Sequence, residues 1–194
     1  MNKTLFIERK PAMPRTAAKK KPAAAKAKVK TVIKAAKKSG AKIDIGAPVP
    51  DFSLPATRIG TVSRASLKGK PFVIYFYPKD NTSGCTAEAC DFRDNMAAFN
   101  KLGVTVIGIS KDSLKSHENF AKKFGLTFPL ASDEDGNACE RFGVWIQKSM
   151  YGRSYMGIER ATFLVDAKGI IRTIWHKVSV TGHVGEVKKA IAAL

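Results

Sequence analysis

The sequence predicts an α/β domain whose mixed β-sheet is covered on both faces. Two largely apolar runs, 72–77 and 104–109, have the composition of strands that are buried on both sides. Each run is followed by a segment in which apolar residues recur at helical spacing, and this alternation of strand and helix is typical of α/β folds. A pair of strands within 161–175 and a helix at the C terminus complete the pattern.

The first half of the domain predicts a strand pair and one long helix. The strands lie at 51–54 and 61–63, on either side of a turn at 58–60. The helix is expected over 82–102, where Gly103 ends it. Its apolar residues are spaced for one buried face, and they are Ala89, Phe92, Met96 and Phe99.

The second half of the domain predicts shorter elements around the remaining strands. In chain order they are a helix over 113–124 closed by Gly125, a strand at 128–130, a short helix over 137–142, strands at 161–165 and 170–175 joined by a hairpin turn at 166–169, and a helix over 184–194. The stretch from Trp145 to Gly157 is interpreted as a mobile loop near the site, in contact with substrate or reductant. The sequence contains no internal repeat.

Positive charge is concentrated at the N terminus. The 194-residue chain has a net charge of +18, and residues 1–42 carry 14 Lys and Arg against a single acid, Glu8. Because this Lys/Ala/Pro-rich segment has little to bury, we expect 1–42 to be a disordered tail and 43–194 to be the folded domain. Such a tail binds phosphate backbones without sequence preference, so nucleic acid is one candidate partner. A solubilising tail or an unprocessed leader is the alternative interpretation.

Composition limits the classes of protein to which the chain belongs. No apolar stretch reaches the roughly 18 residues of a membrane-spanning helix, so no membrane association is expected. Three cysteines in a chain of this length do not make a disulfide scaffold, and their scarcity favours a reducing compartment. The bacterial cytoplasm is therefore expected, with association with a nucleoid or nucleus through the tail, or an organelle, as alternatives.

Two of the cysteines point to redox chemistry. Cys85 and Cys90 follow the apolar run 72–77 and a turn rich in hydroxyl groups and glycine. A cysteine in the first turn of a helix faces free backbone N–H groups and the positive end of the helix dipole, and both favour the thiolate. The second cysteine is close enough along the chain to trap an oxidised form of the first. This pattern predicts a thiol redox enzyme.

The stretch from Ile45 to Leu194 resembles the peroxiredoxins, and specifically their Q-type branch, the bacterioferritin comigratory proteins. The resemblance rests on Pro78-x-x-x-Thr82-x-x-Cys85 with Cys90 five residues on, and on four further stretches at 92–94, 132–135, 142–145 and 160–166. It implies a thioredoxin-like fold and the reduction of hydrogen peroxide and organic hydroperoxides. Ser83 departs from the branch, which often has proline there; serine keeps the helix-capping chemistry but loosens the loop.

The resemblance also implies the roles of the site residues. Cys85 aligns with the peroxidatic cysteine and Cys90 with the resolving one, while Pro78, Thr82 and Arg160 align with the rest of the active-site set. The enzyme is expected to form an intramolecular Cys85–Cys90 disulfide, which a thioredoxin-type protein reduces. No metal, haem or flavin is required, and a monomer is expected.

The residue types suit this chemistry independently of the family. A free thiol has a pKa of about 8.5, so peroxide attack at neutral pH needs donors and positive charge near the sulfur. Arg160 is permanently charged and has several N–H donors for sulfur and peroxide oxygens. The Thr82 hydroxyl accepts from the peroxide O–H, and Pro78 shields the thiolate from water. Together they stabilise charge that moves from sulfur to the leaving oxygen.

The spacing of the two cysteines predicts a conformational change. On an intact helix, residues five apart have Cα atoms about 8–9 Å from each other and point to different sides. A disulfide requires a Cα separation below about 7 Å. We therefore expect the first turns of the helix, about 82–93, to unfold when Cys85 and Cys90 are joined.

Several of these residues have a simpler interpretation. Cys90 and Cys139 are also explained as packing residues, since free cysteine packs as a small hydrophobe. If Cys90 is a packing residue, Cys139 is the alternative resolving cysteine. Arg160 is a candidate for a surface ion pair with Glu159. Glu88 either hydrogen-bonds Arg160 and steers protons, or serves as a first-turn partner of the helix dipole.

Two other functions compete with the peroxidase. A thiol–disulfide oxidoreductase of the thioredoxin class is expected to show Cys-x-x-Cys, whereas four residues intervene here. A nucleic-acid-associated protein would act through its basic tail, and a tethered peroxidase would combine both functions. His117, His176 and His183 lack the spacing of metal ligands, so no metal site is expected.

Overall fold

The structure, a computed structural model, describes residues 43–150 and 152–194. In chain order the elements are β1 (Ser53–Ala56), β2 (Gly60–Ser63), β3 (Phe72–Phe76), α1 (Ser83–Asp94), α2 (Met96–Lys101), β4 (Thr105–Ser110), α3 (Leu114–Phe124), β5 (Leu130–Ser132), α4 (Ala138–Arg141), β6 (Trp145–Met150), β7 (Arg153–Ile158), β8 (Ala161–Val165), β9 (Ile171–Trp175) and α5 (His183–Ala192). The predicted basic tail, 1–42, lies outside the described residues.

Seven of the strands form one mixed sheet in the order β2-β1-β5-β4-β3-β8-β9. β3 pairs with β4 in parallel and with β8 in antiparallel register, so it lies between the parallel and antiparallel parts of the sheet. All five residues of β3 are buried, as the continuous apolar run predicts for a strand with both faces covered. The expected mixed sheet with a central strand at 72–77 is confirmed.

Alternate residues of β3 point into two separate hydrophobic clusters. Val73 and Tyr75 pack in a cluster with α1, α2, α3 and α5, whereas Phe72, Ile74 and Phe76 pack in a second cluster that includes α4. This alternation follows from the two-residue period of side chains along a strand. Most of the helical layer therefore lies on the face of the sheet that carries Cys85.

The predicted helix over 82–102 is two helices, so the prediction of one continuous helix is wrong. α1 ends at Asn95, whose ψ of 2° departs from helical geometry. The Asn95 side-chain amide donates to the Asp91 carbonyl at 2.8 Å, and Lys188 of α5 donates to the Asn95 side-chain oxygen at 2.9 Å. Asparagine competes for backbone groups in this way because its side chain is a short donor and acceptor.

The segment from Trp145 to Gly157, interpreted from sequence as a loop, belongs to a regular β-hairpin. β6 and β7 pair in unbroken antiparallel register from Trp145↔Ile158 to Met150↔Arg153. Gly152 has a φ of 74° in the connecting turn, a conformation that glycine adopts without a steric penalty. Most residues of both strands are partly or fully exposed, so the sequence lacks the apolar alternation that identifies a strand.

The remaining elements match their predictions to within a few residues. Ser113 caps α3 by accepting from the Ser116 N–H, and Gly125 ends that helix with a φ of 62°. The strand expected at 128–130 is β5, which begins at Leu130 instead. Among the described residues, no helix is both long and apolar enough to cross a membrane.

Candidate active site

Cys85 lies in the first turn of α1, which follows β3 after the loop 77–82. It is the third residue of the helix and is 1 % exposed. The first N–H groups of a helix have no partner within the helix, and the helix dipole places positive charge at this end. The structure thus places Cys85 at the start of a helix, as the strand–turn–helix pattern predicts.

Arg160 provides the second favourable contact for a thiolate. It immediately precedes β8, the antiparallel neighbour of β3, and its Nη2 donates to the Cys85 Sγ at 3.2 Å. Gly84 packs against the same guanidinium: a Cβ at that position would lie 3.4 Å from Nη2. The structure thus brings together two predicted site residues that are 75 positions apart in the chain.

Glu88 holds the other side of the Arg160 guanidinium. It is 1 % exposed, and its Oε2 accepts from the Arg160 Nη1, while its Oε1 has no hydrogen-bond partner in the structure. Burial raises the pKa of Glu88 from its ordinary 4.5 to about 7, although the positive charge of Arg160 opposes this shift. One of the two interpretations of Glu88 was a hydrogen bond to Arg160, and this hydrogen bond is present. The Glu88 side chain lies inside the domain.

Thr82 and Pro78 flank the loop that leads from β3 to α1. Thr82 is the N-cap residue of α1, but its hydroxyl donates to the Lys79 carbonyl at 3.0 Å and makes no side-chain capping bond. Both Thr82 and Pro78 are exposed. The roles of Thr82 and Pro78 in the site remain predictions, and the Thr82 hydroxyl would have to change partner to reach a peroxide.

Cys90 lies on the same uninterrupted helix as Cys85. Both thiols are free, and Cys90 is partly exposed whereas Cys85 is buried. Because α1 is helical from Ser83 to Asp94, the geometric premise holds: five residues along an ideal helix place the two Cα atoms about 8–9 Å apart. A disulfide between them requires α1 to unwind, and that step remains a prediction.

Cys139 lies far from this chemistry. It is fully buried in α4 and packs in the hydrophobic cluster on the other face of the sheet from Cys85. Burial, together with the negative charge of Asp133, raises the pKa of the Cys139 thiol well above its ordinary value. A protonated thiol in the core is a poor nucleophile, so the packing interpretation fits Cys139 better than a resolving role.

The three histidines lie in separate places. His117 contacts Asp80, His176 contacts Glu159, and His183 contacts the Thr162 hydroxyl at 2.7 Å. Within 43–150 and 152–194, no group of three or more His, Cys, Asp or Glu side chains is arranged to hold a metal ion. Since Glu159 pairs with His176, the ion pair with Arg160 considered from sequence is not the one formed.

The sequence did not single out one cluster beside the site. Tyr77, Asp80, Ser116 and His117 form a buried hydrogen-bonded group between the loop before α1 and helix α3. Asp80 and His117 are 37 positions apart, so no local motif identifies the contact. The only local signal is a polar tip, Tyr77, at the end of an otherwise apolar run.

The chain is similar to several known proteins. The family model described as AhpC/TSA matches residues 45–174. Among curated proteins, the chain is 50 % identical over 145 residues to a putative peroxiredoxin Bcp of Coxiella burnetii, covering 75 % of this chain and 96 % of the relative. It is 45 % identical over 149 residues to peroxiredoxin Bcp of Bacillus subtilis, covering 77 % and 95 %.

Solved structures of similar proteins share the fold. Peroxiredoxin Q of Xanthomonas campestris superposes with a TM-score of 0.70 at 43 % identity, over 73 % of this chain and 90 % of that one. A PrxQ mutant of Xylella fastidiosa superposes with a TM-score of 0.74 at 37 % identity, over 79 % and 98 %. The expected thioredoxin-like fold is confirmed.

Proposed function

The chain belongs to the AhpC/TSA family, as a relative of the Bcp and peroxiredoxin Q proteins, and we propose that its peroxidase chemistry runs through Cys85 and Cys90. It is a thiol peroxidase, an oxidoreductase that reduces peroxides. The assignment of residues to the individual steps is supported most directly by one contact, the 3.2 Å hydrogen bond from Arg160 to the Cys85 sulfur at the start of α1.

In the first step the Cys85 thiolate attacks one oxygen of the peroxide. An S–O bond forms and the O–O bond breaks, so that Cys85 becomes a sulfenic acid while the other oxygen leaves as hydroxide or alkoxide and takes up a proton. Arg160 donates to the sulfur and to the oxygens as charge moves between them. Thr82 and Pro78 complete the site, with the Thr82 hydroxyl orienting the peroxide.

In the second step the Cys90 thiol condenses with the sulfenic acid. An S–S bond forms, the S–O bond breaks, and water leaves with the Cys90 proton. Because Cys85 is 1 % exposed and the two cysteines share one helix, α1 must unwind over about 82–93 for the sulfurs to meet. A thioredoxin-type dithiol then reduces the disulfide and is itself oxidised, which closes the cycle.

The proposed substrates are hydrogen peroxide and organic hydroperoxides. One solved relative, the Xanthomonas campestris bacterioferritin comigratory protein, is described by its alkyl peroxide reduction activity and is 42 % identical to this chain. The cycle uses only cysteine chemistry, so it needs no metal, haem or flavin. We infer a role in antioxidant defence in the bacterial cytoplasm. We also infer that the protein is a monomer, and sedimentation of the reduced and oxidised protein will test this oligomeric state.

The mechanism is tested by hydrogen peroxide consumption with thioredoxin, thioredoxin reductase and NADPH. Cys85→Ser is expected to abolish turnover, and Cys90→Ser is expected to accumulate the sulfenic or hyperoxidised form of Cys85. Full turnover by Cys90→Ser would assign resolution to Cys139 or to an external thiol. An inactive wild-type protein with every dithiol donor would refute the proposed cycle.

The basic segment 1–42 supports a second, compatible proposal, non-specific binding to nucleic acid. Its net charge of +13 is far above the +5 of residues 43–194. Binding through phosphate contacts should weaken steeply between low and moderate salt, because counterions are released. Binding that is insensitive to salt, or that survives deletion of 1–42, would contradict this proposal.

A further inference from the structure

The loop between β3 and α1 is held to the rest of the domain through one buried side chain. Of residues 78–82, only Asp80 is buried, with 5 % exposure, whereas the other four are exposed. The loop immediately precedes the helical turn that carries Cys85. The position of Asp80 therefore influences where α1 begins.

The Asp80 carboxylate accepts hydrogen bonds from three side chains. Its Oδ1 accepts from the Tyr77 hydroxyl at 2.7 Å, and its Oδ2 accepts from the Ser116 hydroxyl at 2.7 Å and contacts the His117 Nδ1 at 2.9 Å. Burial raises the pKa of the Tyr77 phenol, so its hydroxyl stays protonated as a donor. Hydrogen bonds that an ionised carboxylate accepts are stronger than those between neutral groups.

The backbone N–H of Asp80 is hydrogen-bonded to a different residue, in the connection between β4 and α3. Its N–H donates to the Asp112 Oδ2 at 2.9 Å, and that carboxylate also accepts from the Ser110 hydroxyl at 2.7 Å. Ser110 ends β4, and Ser116 and His117 lie in the first turn of α3. Four hydrogen bonds thus attach one loop residue to Tyr77, which directly follows β3, and to side chains of the β4–α3 connection and α3.

The His117 imidazole depends on this contact in turn. It is fully buried, and its Nε2 has no hydrogen-bond partner in the described part of the chain, so its polar contacts run through Nδ1 to Asp80 and Tyr77. A buried imidazole needs such partners, because an unpaired polar group in the core is destabilising. Asp80 and His117 therefore fix each other's position.

We propose that Asp80 is a positioning residue for the peroxidatic site, which sets the start of α1 relative to Arg160 through its hydrogen bonds to Tyr77, Ser116 and His117. Only two residues separate Asp80 from the first residue of α1. Asn81 has a φ of 57°, and the Thr82 carbonyl accepts the first hydrogen bond of the helix, from the Thr86 N–H at 2.8 Å. Asp80 does not touch the reacting atoms. The proposal rests on the assignment of Cys85 as the peroxidatic cysteine.

The first test measures Cys85 oxidation alone, in the Cys90→Ser background. Reduced protein is mixed with hydrogen peroxide in stopped flow, and the second-order rate constant for Cys85 oxidation is determined. Asp80→Ala is expected to lower this constant by about tenfold or more, because small displacements of a catalytic group have large effects on rate. A rate equal to that of the background protein would overturn the proposal.

The matched control is Asp166→Ala, at the opposite end of the sheet. Asp166 also holds a loop, by accepting from the Lys168 N–H, the Ile170 N–H and the Arg172 Nε. Its replacement should lower the thermal midpoint while leaving the Cys85 oxidation rate unchanged. An equal loss of rate in Asp166→Ala would show that general destabilisation explains the Asp80 result, and would overturn the proposal.

Conservative variants separate positioning from folding. Asp80→Asn keeps the side-chain shape and one acceptor oxygen, so it should recover most of the rate that Asp80→Ala loses. If Asp80→Ala does not fold, Ser116→Ala removes a single donor and should still slow Cys85 oxidation; an unchanged rate would overturn the proposal. If the Cys90→Ser parent does not oxidise at Cys85 at all, the proposed function fails instead.

Discussion

Burial raises the pKa of Glu88 and the ion pair with Arg160 lowers it. Measuring stability as a function of pH will show which of the two effects is larger. Glu88 is almost fully buried beside Arg160, and its pKa of about 7 in the folded protein lies above the ordinary 4.5. A folded-state pKa above the unfolded one means that folding binds a proton between these pH values. The stability due to Glu88 is therefore complete below about pH 4.5 and is lost as pH rises through about 7.

The expected magnitude follows from the size of the shift. A difference of roughly 2.5 pKa units corresponds to about 3 kcal/mol, at about 1.4 kcal/mol per unit. The experiment compares wild type with Glu88→Gln, which keeps an acceptor for Arg160 but cannot ionise. Urea unfolding of the reduced proteins is measured from pH 4.5 to 8, and the free energy of unfolding is obtained by linear extrapolation.

As the pH rises from 4.5 to 8, the free energy of unfolding of the wild-type protein should fall by about 3 kcal/mol relative to that of Glu88→Gln. The comparison of two variants matters because burial lowers the pKa of His183, which makes stability fall as pH drops through the same region. That contribution is common to both proteins and cancels in the difference. A flat difference, or one in which wild type gains stability as pH rises, would show that the Arg160 charge outweighs burial, and would refute the reasoning.

Three further predictions concern the redox cycle and its neighbours. Amide hydrogen exchange over 82–93 should be faster in the oxidised than in the reduced protein, and equal or slower exchange would contradict the proposed unwinding. Arg160→Lys should lower the rate of Cys85 oxidation by about 100-fold, since one preorganised donor contributes on this order; the exposed Arg172→Lys serves as control and should leave the rate unchanged. Cys139→Ala should keep peroxide turnover at the wild-type level. It should also lower the free energy of unfolding in urea by about 1 kcal/mol, because it leaves a small buried cavity. A loss of turnover with no loss of stability would restore Cys139 as a candidate resolving cysteine.

The parts of the fold that could be predicted are those with strong local signals. The apolar run at 72–77 identifies a buried central strand, and Ser113 and Gly125 mark the two ends of α3. The hairpin of β6 and β7 could not be recognised, because its strands are mostly exposed and carry no apolar alternation. The break at Asn95 was missed for a different reason: apolar spacing continues across it, and the amide contacts that end α1 are visible only in three dimensions.

The candidate site also has features that local sequence predicts and contacts that only the fold creates. The position of Cys85 at a helix start follows from its neighbours in the chain. Its contact with Arg160 had to be supplied by the family resemblance, since the two residues are 75 positions apart. Asp80 and His117 were not predicted as a pair, because a buried carboxylate and a buried imidazole leave no pattern in the sequence until the fold brings them together.

The interruption between α1 and α2 has a consequence for how much structure a redox cycle would disturb. Helix unwinding is cooperative along a continuous hydrogen-bonded segment, so a single helix over 82–102 would tend to unwind as one unit. Asn95 divides it into two, and α2 has its own first backbone hydrogen bond, from the Phe99 N–H to the Asn95 carbonyl at 3.2 Å. If α1 opens to form the disulfide, Phe92 leaves the core and Phe99 loses one ring contact, at a centroid distance of 5.9 Å, while the backbone hydrogen bonds of α2 stay in place. A short helix that ends at an asparagine would thus confine the proposed opening to α1.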